Sequence, residues 1–175
     1  MELQIKYISK TYKFISLLYL CSLFITGCSS TPKIAESEPF LSKPIAKEKN
    51  TILIGEFIHN SALSQLEMHY KYGGTSPKTG FDCSGLAWYS HKKNGITIPR
   101  HSLAQFSSGK RILLKDLRPG DLVFFETYRQ GASHVGIYSR DGNFIHALNR
   151  NKDVAIQKLA NNYYKKRYLG ARRYW

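Results

Sequence analysis

The chain has 175 residues, a hydrophobic content of 42% and a formal net charge of +14. This length suits one globular domain with a single core, and three cysteines are too few for a disulfide framework. So strong a positive charge predicts an anionic partner. The chain has no visible nucleic-acid-binding motif, so anionic cell-wall polymers or phospholipid head groups are better candidates than nucleic acid. A merely solvated basic surface is the alternative for many individual lysines.

The first 27 residues have the pattern of an export signal. Three lysines precede an apolar run of 12 residues, 14–25, which is too short to span a bilayer that needs roughly 20. The sequence Ile-Thr-Gly-Cys that ends at Cys28 resembles the bacterial lipobox, in which the cysteine is lipidated and becomes the first residue of the mature protein. Ser29 follows it in place of aspartate, which in a Gram-negative host implies sorting to the outer membrane. A plain secretory signal or a short membrane anchor is the alternative.

Residues 28–50 are predicted to form a flexible tether, because they are polar, contain three prolines and show little apolar periodicity. An ordered arm on the domain is the alternative. The domain itself is predicted over residues 51–175. The lipid on Cys28 would hold it in the cell envelope, at the periplasmic face of the outer membrane, or at the cytoplasmic membrane of a Gram-positive host.

The stretch around Cys83 carries the strongest local signal. Asp82 is a good helix cap, residues 84–93 read as a helix, and Asn94-Gly95 ends it. Cys83 would then lie in the first turn, where free backbone N–H groups and the helix dipole favour an anion, which predicts a lowered thiol pKa and a reactive thiolate. After signal removal and lipidation it would be the only free thiol. A small buried apolar residue is the alternative.

Periodicity and turn residues predict helices first and strands afterwards. The predicted helices cover residues 60–68, 84–93 and 101–107, an extended piece covers 96–99, and the predicted strands cover 122–125, 134–138, 143–148, 154–159 and 168–173. This order indicates an α+β fold in which the N-terminal helices pack on a mostly antiparallel sheet.

A thiol nucleophile needs a base, and the base needs an orienting partner. His134 and His146 lie on the two strands of a predicted hairpin with a turn at Asp141-Gly142. An unbulged turn would place His134 opposite Asn149 and point the two histidines to opposite faces, whereas a bulge near the turn would restore a shared face. The hairpin alone therefore neither forms nor excludes a site with Cys83. Ordinary sheet histidines and a zinc site are alternatives, although no Cys-x-x-Cys or His-Glu-x-x-His motif is present.

Six short motifs resemble, in order, those of one family. They are Tyr70-x-x-Gly73-Gly74, Asp82-Cys83-Ser84-Gly85, Arg100-x-Ser102, Pro119-Gly120-Asp121-Leu122-Val123-Phe124-Phe125, His134-Val135-Gly136-Ile137-Tyr138 and Phe144-Ile145-His146-Ala147. Together they resemble the NlpC-type (NlpC/p-sixty) cell-wall cysteine peptidases, which have a compact papain-like fold. The resemblance covers roughly residues 61–173. Each motif is weak alone, but six in order are specific.

The resemblance implies a role for each matching residue. Cys83 would be the nucleophile, His134 the general base and then the acid, and His146 the third polar residue that orients His134. Tyr70 and the Cys83 backbone N–H would support the oxyanion or the substrate carbonyl. Four further positions match cleft-lining, substrate-binding positions: Asp82, Ser84, Arg100 and Ser102. The alternative for Asp82 is a structural role as a helix cap, and the alternative for Arg100 is an ion pair with a carboxylate of the fold.

Two departures from the family pattern border the cleft. Residues 67–69 read Glu-Met-His where the family often has Gly-x-Pro, and the loop before Cys83 contains Ser-Pro-Lys at 76–78. Neither departure removes a residue of the proposed chemistry, but because both border the cleft, the family pattern does not fix the substrate preference. Four histidines match no catalytic position and are expected to be structural or superficial: His59, His69, His91 and His101.

The resemblance implies a lipid-anchored, monomeric murein hydrolase that needs no metal or organic cofactor. The thiol would attack an amide of the peptidoglycan stem peptides through a thioester intermediate. Gram-negative lipoprotein members with a lone domain act as endopeptidases, many on the D-alanyl–diaminopimelate cross-link. Cleavage between D-glutamate and diaminopimelate, acyl transfer by the same thiol, and a non-catalytic wall-binding scaffold are the alternatives.

Overall fold

A computed structural model describes residues 42–149 and 152–175, so the predicted signal, Cys28 and most of the predicted tether lie outside the described residues. The helices are α1 (Ser42–Leu63), α2 (Cys83–Lys92), α3 (Ser102–Ser108) and α4 (Asn162–Lys165). The strands are β1 (Thr75–Ser76), β2 (Gly80–Phe81), β3 (Lys110–Ile112), β4 (Leu122–Phe125), β5 (His134–Tyr138), β6 (Asn143–Asn149), β7 (Lys152–Lys158) and β8 (Tyr168–Arg173). No helix in this described part is long and apolar enough to cross a bilayer.

Six strands form one antiparallel sheet in the order β3-β8-β4-β5-β6-β7, and β1 and β2 form a separate small ribbon. The central strand β4 is buried along its whole length, because helices cover one face of the sheet and an aromatic cluster covers the other. α2 packs on β5 and β6, and α1 packs on α2 and β5. The α+β prediction is confirmed.

The first helix differs from its prediction. α1 begins at Ser42, so residues 42–50 are helical and the predicted boundary at residue 51 falls inside a helix. Its inner face consists of Ile54, Ile58 and Ala62, spaced four residues apart, of which the last two are fully buried. The helix ends at Leu63, and the predicted continuation to 68 fails because the backbone of residues 67–68 bonds instead to Val154 of β7.

The β5–β6 hairpin turns at Asp141-Gly142, where φ is 54° and 74°. Asn143 is opposed by both Ser139 and Arg140. Its N–H donates to the carbonyl of Arg140, and its carbonyl accepts a hydrogen bond from the N–H of Ser139. This bulge shifts the strand pairing by one residue from that of a simple two-residue hairpin. As a result, His134 and His146 lie on the same face of the sheet.

Candidate active site

The start of α2 places Cys83 in a cleft. Asp82 is the N-cap residue with extended backbone, and its Oδ1 accepts a hydrogen bond from the N–H of Gly85 at 2.6 Å. Gly85 has no room for a side chain, because a Cβ would collide with the carbonyl of Gly74. The Asp82 N–H donates to that same carbonyl at 3.2 Å. These contacts fix the loop against the first turn, so the position of Cys83 is defined by the backbone on both sides.

The histidine pair is formed by the hairpin. The distance between Nε2 of His134 and Nδ1 of His146 is 2.7 Å, and both residues are buried. Cys83 and His134 line the same cleft, and the backbone of Val135 is among the groups that act to lower the pKa of the thiol. The fold therefore brings Cys83, His134 and His146 together. Because Nε2 of His134 is engaged by its partner, Nδ1 is the nitrogen available to the thiol.

Burial determines the protonation of these groups. It lowers the pKa of His134 to about 4, and burial followed by the proximity of His134 lowers the pKa of His146 well below its ordinary value. Cys83 is partly exposed as a residue, but its thiol is enclosed. Burial first, and the charge of Asp82 second, raise its pKa to about 11, while nearby backbone N–H groups lower it by less. The predicted lowering of the thiol pKa is therefore wrong, and the resting pair is a neutral thiol and a neutral imidazole.

Aromatic side chains enclose the two imidazoles. Phe144 and Tyr164 contact His146 at ring-centroid distances of 4.7 and 5.4 Å, and Phe125 lies 6.3 Å from the ring of His134. Nε2 of His146 is buried without a hydrogen-bond partner among the described residues, so packing holds this ring. In the tautomer in which Nε2–H of His134 donates to Nδ1 of His146, the lone pair on Nδ1 of His134 is free to accept the thiol proton.

The other side of the cleft is built from charged groups. Arg100 donates to both carboxylate oxygens of Asp82, at 3.0 and 2.7 Å, and to the hydroxyl of Ser84 at 2.9 Å. The Ser84 hydroxyl donates to Asp82 at 3.2 Å, and the N–H of Gly73 donates to the same carboxylate at 2.9 Å. All three predicted residues line the cleft. Asp82 and Arg100 also satisfy the structural alternative, since one caps α2 and the other is its ion-pair partner.

Tyr70 and Ser102 also line the cleft. Tyr70 is placed beside the Cys83 segment by backbone pairing with Phe81. Ser102 begins α3 and is buried, and its hydroxyl donates to the carbonyl of Ala132 at 2.7 Å. That bond uses the hydroxyl proton and ties α3 to the loop before β5, so Ser102 has a clear structural contact.

The cleft has a volume of about 1190 Å³ and includes residues that the motifs did not single out. They are Tyr72, His101, Leu103, Ala104, Thr127, Tyr128, Arg129, Leu148, Tyr163 and Tyr164. Most lie in loops or short elements without periodicity. A Tyr-Arg pair at 128–129, between a strand motif and the His134 motif, was the signal that could have indicated a cleft loop.

The remaining histidines have mixed surroundings. His59 contacts the Ser139 hydroxyl through Nε2 at 2.8 Å, and buried His91 donates from Nδ1 to the carbonyl of Ala87 at 2.8 Å. His101 is exposed at the edge of the cleft. No group of three or more metal-binding side chains is arranged around a common point within residues 42–149 and 152–175.

A thiol at a helix start, in one cleft with a sheet histidine that is hydrogen-bonded to a second histidine, is the layout of a compact papain-like cysteine peptidase. Residues 67–173 match the NlpC/P60 family, which is more than half of the chain. The protein therefore belongs to the NlpC/P60 family, and the resemblance predicted from the six motifs is confirmed.

Individual relatives support this assignment. The chain is 40% identical over 118 residues to the murein DD-endopeptidase MepH of Escherichia coli, a match that covers 65% of this chain and 44% of the relative. It is 41% identical over 107 residues to a gamma-DL-glutamyl hydrolase of Bacillus subtilis, covering 60% of this chain and 26% of the relative. A crystal structure of an NlpC/P60 family protein from Bacillus cereus superposes with a TM-score of 0.64 at 38% identity, covering 69% of this chain and 40% of the other. The chain thus spans less than half of each relative.

Proposed function

We propose that the protein is a cysteine endopeptidase that cleaves stem peptides of peptidoglycan. The observation that carries the proposal is the 2.7 Å contact between buried His146 and His134, which lines the same cleft as Cys83. A binding module has no need of a thiol and a hydrogen-bonded histidine pair in one cleft. Membership of the NlpC/P60 family supports the same chemistry.

Acylation begins when substrate enters the cleft. The Cys83 sulfur attacks the amide carbon as Nδ1 of His134 accepts the thiol proton. The imidazolium so formed is stabilised because its Nε2–H donates to Nδ1 of His146. The negative oxygen of the tetrahedral intermediate is stabilised by the backbone N–H of Cys83, at the N-terminus of α2, and by the hydroxyl of Tyr70.

Three further proton transfers complete the cycle. The intermediate collapses, the C–N bond breaks, and the amine leaves with the proton from His134, so that Cys83 carries a thioester. Water then attacks the thioester carbon while His134 accepts its proton. Release of the carboxylic acid returns the proton to the thiol.

The D-alanyl–diaminopimelate cross-link is the proposed bond, and the similarity to a murein DD-endopeptidase supports it. Cleavage on the D-glutamyl side of diaminopimelate is the second candidate, supported by the similarity to a gamma-DL-glutamyl hydrolase. Residues 1–28 support export and a lipid anchor on Cys28. In a Gram-negative cell, the enzyme would then face the peptidoglycan from the periplasmic side of the outer membrane.

The test uses protein without residues 1–27 and with Cys28→Ser, which prevents lipidation and keeps α1 whole. Wild-type cleft, Cys83→Ala and His134→Ala versions are incubated with muropeptide dimers, and products are identified by mass spectrometry. We expect only the protein with the wild-type cleft to convert dimers to monomers. The rate of cleavage should fall at least roughly 1,000-fold in Cys83→Ala and in His134→Ala.

The products also separate the alternatives. Cleavage within one stem moves the bond to the D-glutamyl side, and a newly joined product indicates acyl transfer. If all three proteins bind the wall and none forms product, the enzymatic proposal is wrong and a scaffold role is supported.

A further inference from the structure

The loop between β4 and β5 forms one wall of the cleft through residues 127–129. Its ends are fixed, because the N–H of Thr127 donates to the hydroxyl of Ser133 at 2.8 Å and the N–H of Gly131 donates to the carboxylate of Glu126 at 2.7 Å. Tyr128 and Arg129 lie at the tip and are exposed. The loop therefore presents two large polar side chains to solvent in the cleft from a well-anchored base.

Arg129 differs from the other charged groups of the cleft. Asp82 and Arg100 neutralise each other through two hydrogen bonds. No carboxylate of the described residues lies within 4.0 Å of the Arg129 guanidinium. The acidic residue nearest to it in sequence, Glu126, already accepts a hydrogen bond from the loop backbone. The cleft thus has an excess positive charge at Arg129.

This charge lies in the same cleft as the thiol. The guanidinium carbon of Arg129 is 5.9 Å from the ring centroid of Tyr128. Tyr128, Arg129 and Cys83 all line this one cleft, so the loop tip and the sulfur border the same volume. A substrate whose scissile carbonyl reaches Cys83 therefore passes close to the loop tip.

We propose that Arg129 binds a free carboxylate of the substrate near the scissile bond, and so makes the enzyme discriminate stem-peptide acids from their amides. This inference rests on the proposed function. Peptidoglycan stem peptides carry carboxylates on the glutamyl, diaminopimelyl and terminal alanyl residues, and amidation removes the charge with little change in size. A guanidinium matches a carboxylate with two parallel hydrogen bonds, whereas an amide cannot accept both. Arg129 is exposed, so such a ligand can reach its guanidinium from solvent.

The test measures binding without catalysis. The protein with Cys28→Ser and Cys83→Ala is titrated by calorimetry with a synthetic L-Ala-γ-D-Glu-diaminopimelate-D-Ala tetrapeptide and with its fully amidated counterpart. The same titrations are made with Arg129→Gln and Arg129→Lys added. Arg111→Gln serves as the matched control, because Arg111 is exposed on β3 and does not line the cleft. Circular dichroism checks that each variant is folded.

We expect the free acid to bind about 10-fold more tightly than the amide, since a hydrogen-bonded charge pair is worth that much. Arg129→Gln should abolish the preference, Arg129→Lys should keep part of it, and Arg111→Gln should leave it unchanged. Equal affinities in the parent, a preference that survives Arg129→Gln, or no measurable binding of the acid would each overturn the proposal. A preference for the acid without turnover by the Cys83 enzyme would support this proposal and contradict the proposed function.

Discussion

On the α2 side of the cleft, Asp82 and Arg100 are both charged and share two hydrogen bonds. On the sheet side, His134 and His146 are both neutral and share one. The charged pair is partly open to solvent, with side-chain exposures of 12% and 26%, whereas the histidines are enclosed by aromatic rings. The same cleft thus positions its polar groups in two different ways.

The difference corresponds to what each side has to do. The charged side holds a loop and a helix start together, and a bidentate ion pair with an N-cap bond is a strong way to do so. The sheet side has to accept and return a proton. A histidine kept neutral by burial has a lone pair free to accept a proton at neutral pH, whereas a histidine paired with a carboxylate would already be protonated more readily. Rigid packing then replaces charge as the means of orienting it.

The largest expected effect is the loss of the charged side. Asp82→Ala removes the ion pair, the N-cap bond to Gly85 and the acceptor for the N–H of Gly73. We expect the free energy of unfolding to fall by about 4 kcal/mol, reduced from the upper range for buried pairs because Arg100 can turn toward water. Urea denaturation followed by circular dichroism measures it.

The control for this variant is Glu48→Ala. Glu48 pairs with Arg118 at 3.4 Å, and both side chains are well exposed, so its removal should cost less than about 0.5 kcal/mol. Similar losses in the two variants would contradict the distinction between a structural ion pair and a superficial one.

The buried neutral histidine on the sheet side should make the free energy of unfolding depend on pH in the acid range. Because the pKa of His134 in the folded state is about 4, below the ordinary 6.5, the unfolded chain binds its proton first as pH falls. The free energy of unfolding should therefore be highest above pH 6.5. It should fall as the pH is lowered toward 4, and the contribution of this residue to the fall should be about 3 kcal/mol. Denaturant titrations at several pH values measure the decline, and His134→Gln should make it smaller by that amount.

His91 provides the comparison for this effect. Its pKa is also lowered by burial to about 4, and it lies outside the cleft. His91→Gln should reduce the acid decline to a similar extent and leave catalysis intact, whereas His134→Gln should reduce both. If His134→Gln leaves the acid decline unchanged, the pKa of His134 is not lowered in the folded state, and burial does not keep this histidine neutral.

The part of the fold that carries the site was the most predictable. β4, β5 and β8 have the bounds that their patterns predict, and α2 differs by one residue at each end. The motifs also indicated which side chains would meet. In these segments the local signal agrees with the tertiary environment: a buried central strand is apolar throughout, and a helix start has its cap and its glycine.

Errors arose where tertiary contacts decide. The predicted bounds of the first helix differ from those of α1, because the inner face of α1 is a stripe of three apolar residues in a largely polar stretch. Packing against the rest of the fold, more than the local pattern, stabilises this helix. The sequence does not predict β3, an edge strand whose one partner among the described residues is β8, or α4, which is short and held by Tyr164 in the aromatic cluster. The hairpin register depends on a bulge that the turn residues alone do not specify.

The smallest effect links the two sides. The Asp82 charge is the second cause, after burial, of the raised pKa of Cys83, which is about 11. Asp82→Asn keeps the shape and a capping oxygen but removes the charge, so the thiol should ionise more easily. We expect the pH of half-maximal alkylation by iodoacetamide to fall by about one pH unit, roughly 1.4 kcal/mol.

The alkylation profile also tests the comparison itself. In the parent protein the rate should rise toward pH 11, because the resting thiol is protonated and only the thiolate reacts. A rate that levels off between pH 6 and 8 would instead indicate a thiolate–imidazolium pair, as the helix start alone predicts. In that case, removing the Asp82 charge would have little effect on the profile. A lower pH of half-maximal alkylation in Asp82→Asn, with His134 unchanged, would show that the charge of Asp82 helps to keep the thiol protonated in the resting enzyme.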